Sequence, residues 1–242
     1  MRLDRAVTDR GFARSRSQAS ELIKLGRVRL DGKVVLKPAT EVSADASIEV
    51  EIDPYVSRAA HKLLGALTET GIQIPERVLD AGASAGGFTQ VLLERGAGRV
   101  YAVDVGHDQL AASLREDDRV VSLEGVHLKD LSLEQLDGEK VDLIVADVSF
   151  ISLTMILPHL FPVLSQEGQA LVLVKPQFEV GRELLGAGGI VTDPKLHAWS
   201  VDQVSATARE LGFAELWRGV SQLPGPGGNL EFFLQLAPGQ PA

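Results

Sequence analysis

No cysteine occurs among the 242 residues, which excludes a disulfide framework, a thiolate metal site and a thiol nucleophile. There is also no run of 18 apolar residues, so nothing in the sequence reads as a membrane span. The opening Met1-Arg2-Leu3-Asp4-Arg5 brings charges where a secretory signal needs an apolar stretch. The five histidines, His61, His107, His127, His159 and His197, lack the paired spacing of metal ligands, so no metal site is expected. These absences point to a soluble cytoplasmic protein, with a monomer favoured.

Length and a 45% hydrophobic content suffice for a full α/β core and one small extra domain. The net charge of −9 argues against a polyanionic partner until its distribution is considered. Residues 1–40 carry ten Lys+Arg against four Asp+Glu, whereas the remainder carries 14 against 29. That asymmetry suits an amino-terminal segment that meets a polyanion and an acidic enzyme body behind it. A solvated basic face is the plainer alternative.

The chain is organised around residues 78–89. Val78-Leu79 leads to Asp80, the chain passes Ala81-Gly82-Ala83-Ser84-Ala85-Gly86-Gly87, and an amphipathic stretch runs from Phe88 to Arg95. This reads as strand, tight turn and helix start, the place where an open α/β sheet holds a ligand against free helix N–H groups. Arg99 to Asp104 is a second strand whose closing acid stands about 20 residues beyond the turn, as a ribose-binding carboxylate does. Val120 to Leu123 is a third, Val141 to Ala146 a fourth that ends on Asp147, and Gln169 to Val174 a fifth that delivers Lys175. A helix is expected from Leu153 to Leu164, interrupted or bent at Pro158, and another from Asp193 to Leu211, entered through Pro194. Strands over Phe213 to Val220 and Leu230 to Leu236 close the pattern, with Glu231 at the start of the last. Ser57 caps a helix carrying Lys62, which by itself reads as a solvent-facing lysine. Residues 181–193 are glycine-rich and form a candidate lid. The third glycine of Gly-x-Gly-x-x-Gly is missing in its usual form, which counts against a dinucleotide site.

Before the junction at Asp53-Pro54, apolar Leu3, Val7, Phe12, Ala19, Leu22 and Ile23 fit two short helices, the second capped by Ser15 or Ser17. Val28 and Leu30, an Asp31-Gly32 turn and Val34 read as a hairpin, and Ile48, Val50 and Ile52 as a last strand. With Arg2-Leu3-Asp4, Ser15-Arg16, Gly26-Arg27-Val28, Gly32 and Lys37-Pro38 in this order, the segment resembles the S4 RNA-binding domain. The resemblance implies that Arg5, Arg14, Arg16, Lys24, Arg27, Arg29, Lys33 and Lys37 face structured RNA, where cations contact phosphates and RNA shape sets specificity.

The rhythm Asp80, Gly82, Gly86-Gly87-Phe88 is similar to the glycine motif of FtsJ-like methyltransferases that use S-adenosylmethionine. Their Lys-Asp-Lys-Glu signature falls, in order, on Lys62, Asp147, Lys175 and Glu231. The segments Asp147-Val148-Ser149-Phe150-Ile151-Ser152 and Val174-Lys175-Pro176-Gln177-Phe178-Glu179, together with the S4 segment, resemble the TlyA (hemolysin A) family of ribosomal RNA 2′-O-methyltransferases. One departure is the loop Glu124 to Lys129, where many relatives carry Asn-x-Arg.

The resemblance implies a Rossmann-like class I methyltransferase fold, α/β with a mostly parallel sheet and a closing antiparallel hairpin, preceded by a small α+β S4 domain. Its expected bounds are 1–53 for the S4 domain, 54–58 for a short linker and 59–242 for the methyltransferase domain. S-adenosyl-L-methionine would be held by Asp80, Gly82, Ser84, Gly86, Gly87 and Phe88 around the methionine part, Asp104 on the ribose, Asp130 near the adenine amine and Asp147 closing the pocket. Lys62, Asp147, Lys175 and Glu231 would be catalytic, acting on a ribose hydroxyl, of a cytidine by resemblance, in ribosomal RNA or a ribosomal subunit. Lys175 would act either as the base or as a cation that stabilises the alkoxide, with the acids orienting the lysines. The competing reading is a non-catalytic RNA-binding or ribosome-associated protein that retains the fold. A membrane-damaging hemolysin rests on the family's second name alone.

Overall fold

Apolar runs that do not alternate require strands buried on both faces, and the computed structural model places these runs side by side in one sheet. It describes every residue except Arg14, Ile52 and 240–242. Two units are present, Met1–Pro54 and Tyr55–Ala242.

The first unit comprises helices α1 (Leu3–Asp9) and α2 (Arg16–Lys24) and strands β1 (Val28–Leu30), β2 (Lys33–Val34) and β3 (Ile48–Val50) in an antiparallel sheet of order β2-β1-β3. Of the two candidate caps of α2, Ser15 fills the role, accepting from the Gln18 amide at 3.2 Å, while Ser17 lies inside the helix. Asp31 and Gly32 both adopt left-handed backbone, φ 48° and 77°, which matches the twist of a two-residue hairpin. Leu3, Val7, Ala19, Ile23, Val28 and Ile48 form the core. Phe12 departs from the expected apolar face: α1 stops at Asp9, and the ring is 37% exposed beyond it. Ile52, assigned from sequence to the last strand, lies outside the described residues.

The second unit begins with α3 (Ala59–Thr70), β4 (Arg77–Ala81), α4 (Gly87–Glu94), β5 (Arg99–Asp104), α5 (Ala112–Arg115) and β6 (Val120–Glu124). It continues with β7 (Val141–Ala146), α6 (Leu153–Leu160), β8 (Leu164–Val174), α7 (Pro176–Glu179), α8 (Pro194–Glu210), β9 (Phe213–Val220) and β10 (Phe232–Pro238). Strand order is β6-β5-β4-β7-β8-β10-β9, and β10 runs antiparallel to both of its neighbours. The expected α/β sheet with a closing antiparallel hairpin is therefore present. Successive strand residues feed opposite layers: Val78, Val100 and Leu143 pack against α3 and α4, and Leu79, Tyr101 and Ile144 against α6 and α8.

Several boundaries differ from expectation: β10 covers Phe232–Pro238 and not Leu230 to Leu236, so Glu231 precedes the strand and does not open it. Helix α3 starts at Ala59, its amide bonded to Ser57 Oγ at 3.2 Å, so Ser57 supports the entry without being the capping residue. Helix α6 is not interrupted at Pro158, which lies inside it; it ends at Leu160 and passes into a 3₁₀ turn, Phe161–Val163, because Pro162 supplies no N–H to continue the α ladder. Strand β8 starts at Leu164, with only its final residues fully apolar; the polar Ser165 to Glu167 hid its beginning.

Register positions the site. Strands β4, β5, β7 and β8 point their carboxyl ends at one edge, and antiparallel β10 enters from that edge with Phe232 opposite Val174. Lys175 just after β8 and Glu231 just before β10 thus stand at the same edge.

Candidate active site

Three left-handed residues shape the turn after β4: Gly82 (φ 87°), Ser84 (φ 46°) and Gly86 (φ 94°). A Cβ on Gly82 would stand 2.6 Å from the Asp147 carbonyl oxygen, so only glycine lets the turn lie against the β7 loop. One on Gly86 would collide with Leu114. The turn delivers the chain to the start of α4, whose first N–H groups lack helical partners and favour polar ligand atoms.

Asp80 lies beneath the turn, fully buried, and its Oδ2 accepts from Thr89 Oγ1 at 2.6 Å. Oδ1 has no partner. Burial pushes this carboxyl up to about 7 against the pull of Thr89, and the nearby Asp147 charge raises it further. Asp104 closes β5 with both oxygens tied to backbone, to the Ser84 amide at 2.8 Å and the Gly106 amide at 2.7 Å. Glu124 fixes the neighbouring loop by accepting from the amides of Asp108, Gln109 and Leu110 at 2.8, 3.2 and 3.3 Å, bonds that hold its carboxyl below the ordinary value.

A cavity of about 540 Å³ opens here, bordered by Gly82, Ser84, Asp104, Asp147 and the segment from Val126 to Lys129. A smaller one of about 180 Å³ adjoins it, bordered by Gly82, Ser84, Gly87, Phe88, Asp147 and Lys175. Two candidates lie under rather than on these walls, Asp80 and Gly86. Asp130 borders neither cavity and is exposed at the end of a 3₁₀ turn, Leu128–Asp130, while residues 126–129 occupy the wall.

The four candidate catalytic side chains form two lysine–carboxylate pairs. Lys175 Nζ lies 2.5 Å from Asp147 Oδ1 and donates to Ser149 Oγ at 2.9 Å. Asp147 Oδ1 has no other partner among the described residues. Lys62 Nζ donates to Glu231 Oε2 at 2.5 Å, with Lys62 5% and Glu231 0% exposed, so Lys62 does not take the solvent-facing position its helix suggests. This second pair borders neither cavity. Gly225 backs onto the Glu231 carboxylate, leaving no room for a Cβ. Beside Lys175, Phe150 is 91% exposed with φ 65°, and its ring meets that of Phe178 at 5.2 Å.

In the first unit Arg5, Arg16, Lys24, Arg29, Lys33 and Lys37 are exposed. Arg27 is half-buried and paired with Asp53 at 2.7 Å, and Arg14 lies outside the described residues. Asp4, almost wholly buried, binds Arg2 at 2.8 Å and Arg16 at 3.1 Å, and the Arg2 hydrogen bond holds its carboxyl well below the usual range. Arg2 therefore joins Arg16 in one cluster, a partnership that sequence reasoning missed because Arg2 precedes the helix. Ser149 was likewise missed, though it stands in the quoted Asp147 to Phe150 segment.

Residues 55–237 match the FtsJ-like methyltransferase family and residues 1–48 the S4 domain. The 16S/23S rRNA (cytidine-2′-O)-methyltransferase TlyA of Mycobacterium tuberculosis is 52% identical over 97% of this chain and 89% of its own length. The chain belongs to the TlyA family. A second relative in that family, Hemolysin A of Brachyspira hyodysenteriae, is 42% identical over 96% of this chain and 98% of its own. A solved hemolysin-like protein of Streptococcus thermophilus superposes with a TM-score of 0.78 at 37% identity, over 99% of this chain and 89% of that one. Among the described residues no helix is long and apolar enough to cross a membrane, and no group of acids and histidines could hold a metal ion.

Proposed function

We propose that this TlyA-family chain methylates the 2′-hydroxyl of a cytidine ribose in ribosomal RNA, with S-adenosylmethionine as donor. The observation that carries the reading is that Lys175 and Asp147 border the same small cavity as the glycine turn, which puts a cation where an acceptor oxygen would meet a donor.

The residues fit the donor. Asp104, already fixed by two amides, retains lone pairs for ribose hydroxyls, and Gly82, Ser84, Gly87 and Phe88 form a small-residue cradle at a helix start. The Asp147 carboxylate, on the wall of both cavities, supplies negative charge suited to a cationic ligand. When bound, the donor supplies an electrophilic methyl on a positively charged sulfur, which leaves as a neutral thioether.

A ribose hydroxyl is a weak nucleophile, so the protein's task is to align it and manage its proton. Lys175 Nζ is the group placed either to take that proton, as the neutral amine, or to hold the charge that develops on oxygen, as the ammonium, while the proton passes to water, and Asp147 keeps the nitrogen at the cavity. Lys62 and Glu231 form a buried pair behind it whose charges cancel locally. Phe150, exposed and backed by Phe178, offers a face on which a base can stack. We assign RNA docking to residues 1–53, where Arg2 joins the basic residues named above, and methyl transfer to 59–242, with 54–58 as the join. The enzyme acts as a cytoplasmic monomer in this reading.

Methyl transfer to ribosomal subunits from cells lacking the protein tests it. Lys175→Ala should lose turnover by about a hundredfold or more while keeping donor affinity. Full turnover in that variant would remove Lys175 from the mechanism, and a wild-type protein that neither binds donor nor modifies RNA would end the reading.

A further inference from the structure

A lysine ammonium is a point charge on a flexible stem, with three N–H bonds that rotate freely unless an acceptor fixes them. Asp147 Oδ1 holds Lys175 Nζ at 2.5 Å, which fixes where the nitrogen sits but constrains only one of its N–H bonds. Direction comes from Ser149, whose Oγ accepts from Nζ at 2.9 Å. The other lysine, Lys62, donates to Glu231 in a site away from both cavities.

Ser149 is exposed and borders both cavities, whereas Lys175 borders only the smaller one. The backbone turns sharply just after it, at Phe150 with φ 65°, a conformation uncommon for a bulky side chain. That turn halts the chain leaving β7 with the serine hydroxyl beside the lysine instead of carrying it past the edge of the sheet.

We propose that Ser149 is a positioning residue for Lys175. Its hydroxyl oxygen accepts one N–H of Lys175 and so fixes which side of Nζ faces the acceptor oxygen of the substrate, where the neutral amine presents its lone pair to the hydroxyl proton or the ammonium presents an N–H to the developing charge. The proposal rests on the site being one of methyl transfer to a ribose hydroxyl. It predicts that removing the Ser149 oxygen misdirects the lysine without disturbing either bound partner.

The test uses the full chain with ribosomal subunits from cells lacking the protein, comparing wild type, Ser149→Ala and Ser149→Thr. Because Ser149 is exposed, Ser149→Ala should unfold at the wild-type temperature. Its kcat should fall by roughly tenfold to a hundredfold, the scale of a misplacement of about 1 Å, while donor Kd and the KM for RNA stay within about twofold of wild type. Ser149→Thr, which keeps an oxygen at the same place, should recover most of the turnover. Three results overturn the proposal: wild-type kcat in Ser149→Ala, an equal loss in both variants, or a loss carried by donor Kd or KM. Failure of the wild-type protein to transfer methyl groups would overturn the enzymatic reading and this proposal together; failure in the variants alone concerns only Ser149.

Discussion

Asp80 provides a test of the site's electrostatics that needs no RNA. Its carboxyl is fully buried beneath the glycine turn and pushed up to about 7 from an ordinary 3.8, first by burial and then by the charge of Asp147, against the Thr89 hydrogen bond. Between these values the folded protein holds a proton that the unfolded chain has released, so stability falls as pH rises through the window and the loss is complete above about 7. At about 1.36 kcal/mol per tenfold change in proton affinity, the full cost approaches about 4 kcal/mol. Water drawn towards a buried carboxylate reduces this, so about 2–4 kcal/mol is expected. Asp80→Asn imitates the protonated acid, retaining an oxygen for Thr89 Oγ1. Urea unfolding of wild type and variant at intervals from pH 5.5 to 8.5 gives the difference directly and cancels the titration of every other carboxylate. The variant should gain on wild type by about 1–2 kcal/mol across that range, the part of the window that lies above pH 5.5, with the gain levelling off above about pH 7. A difference that stays constant with pH would refute the claim that Asp80 is neutral in the folded protein below pH 7.

Lys62→Met should destabilise the fold by about 3–5 kcal/mol in urea unfolding, because it strands the Glu231 carboxylate in a site with no exposure; adding Glu231→Gln should restore part of the loss. Gly82→Ala should abolish donor binding in calorimetric titration, since its Cβ would stand 2.6 Å from the Asp147 carbonyl, whereas Gly96→Ala, also left-handed but facing open space, should bind normally at a cost of about 1 kcal/mol in stability. Asp4→Asn should weaken RNA binding and flatten the dependence of log K on log salt by up to about two units, as Arg2 and Arg16 lose the buried anchor that holds them together. An unchanged salt slope would mean that neither arginine meets phosphate.

The residues that can be read from the sequence here are those whose roles follow from local order, such as Asp80 before a glycine turn, Asp104 at the next strand end and Lys175 after an apolar run. Each sits at the carboxyl end of its own strand, and parallel strands bring those ends to one edge. Pairing across the chain is different. Lys62 and Glu231 are 169 positions apart and meet because β10 enters the sheet against the direction of β8, which brings the residue before one strand beside the residue after the other. Helical periodicity, in which a lysine reads as solvated, carries no trace of that encounter. The same limit hid Arg2, whose partner is a buried acid two residues on that also holds Arg16, and Ser149, whose importance depends on where the Lys175 ammonium comes to rest. The site thus divides by origin: the cradle and Lys175 follow from local order, but the buried pair behind them depends on the topology of the whole sheet. A substitution that shifts β10 by one residue would keep the donor cradle and undo the Lys62–Glu231 pair, separating donor binding from turnover without touching any residue on the cavity walls.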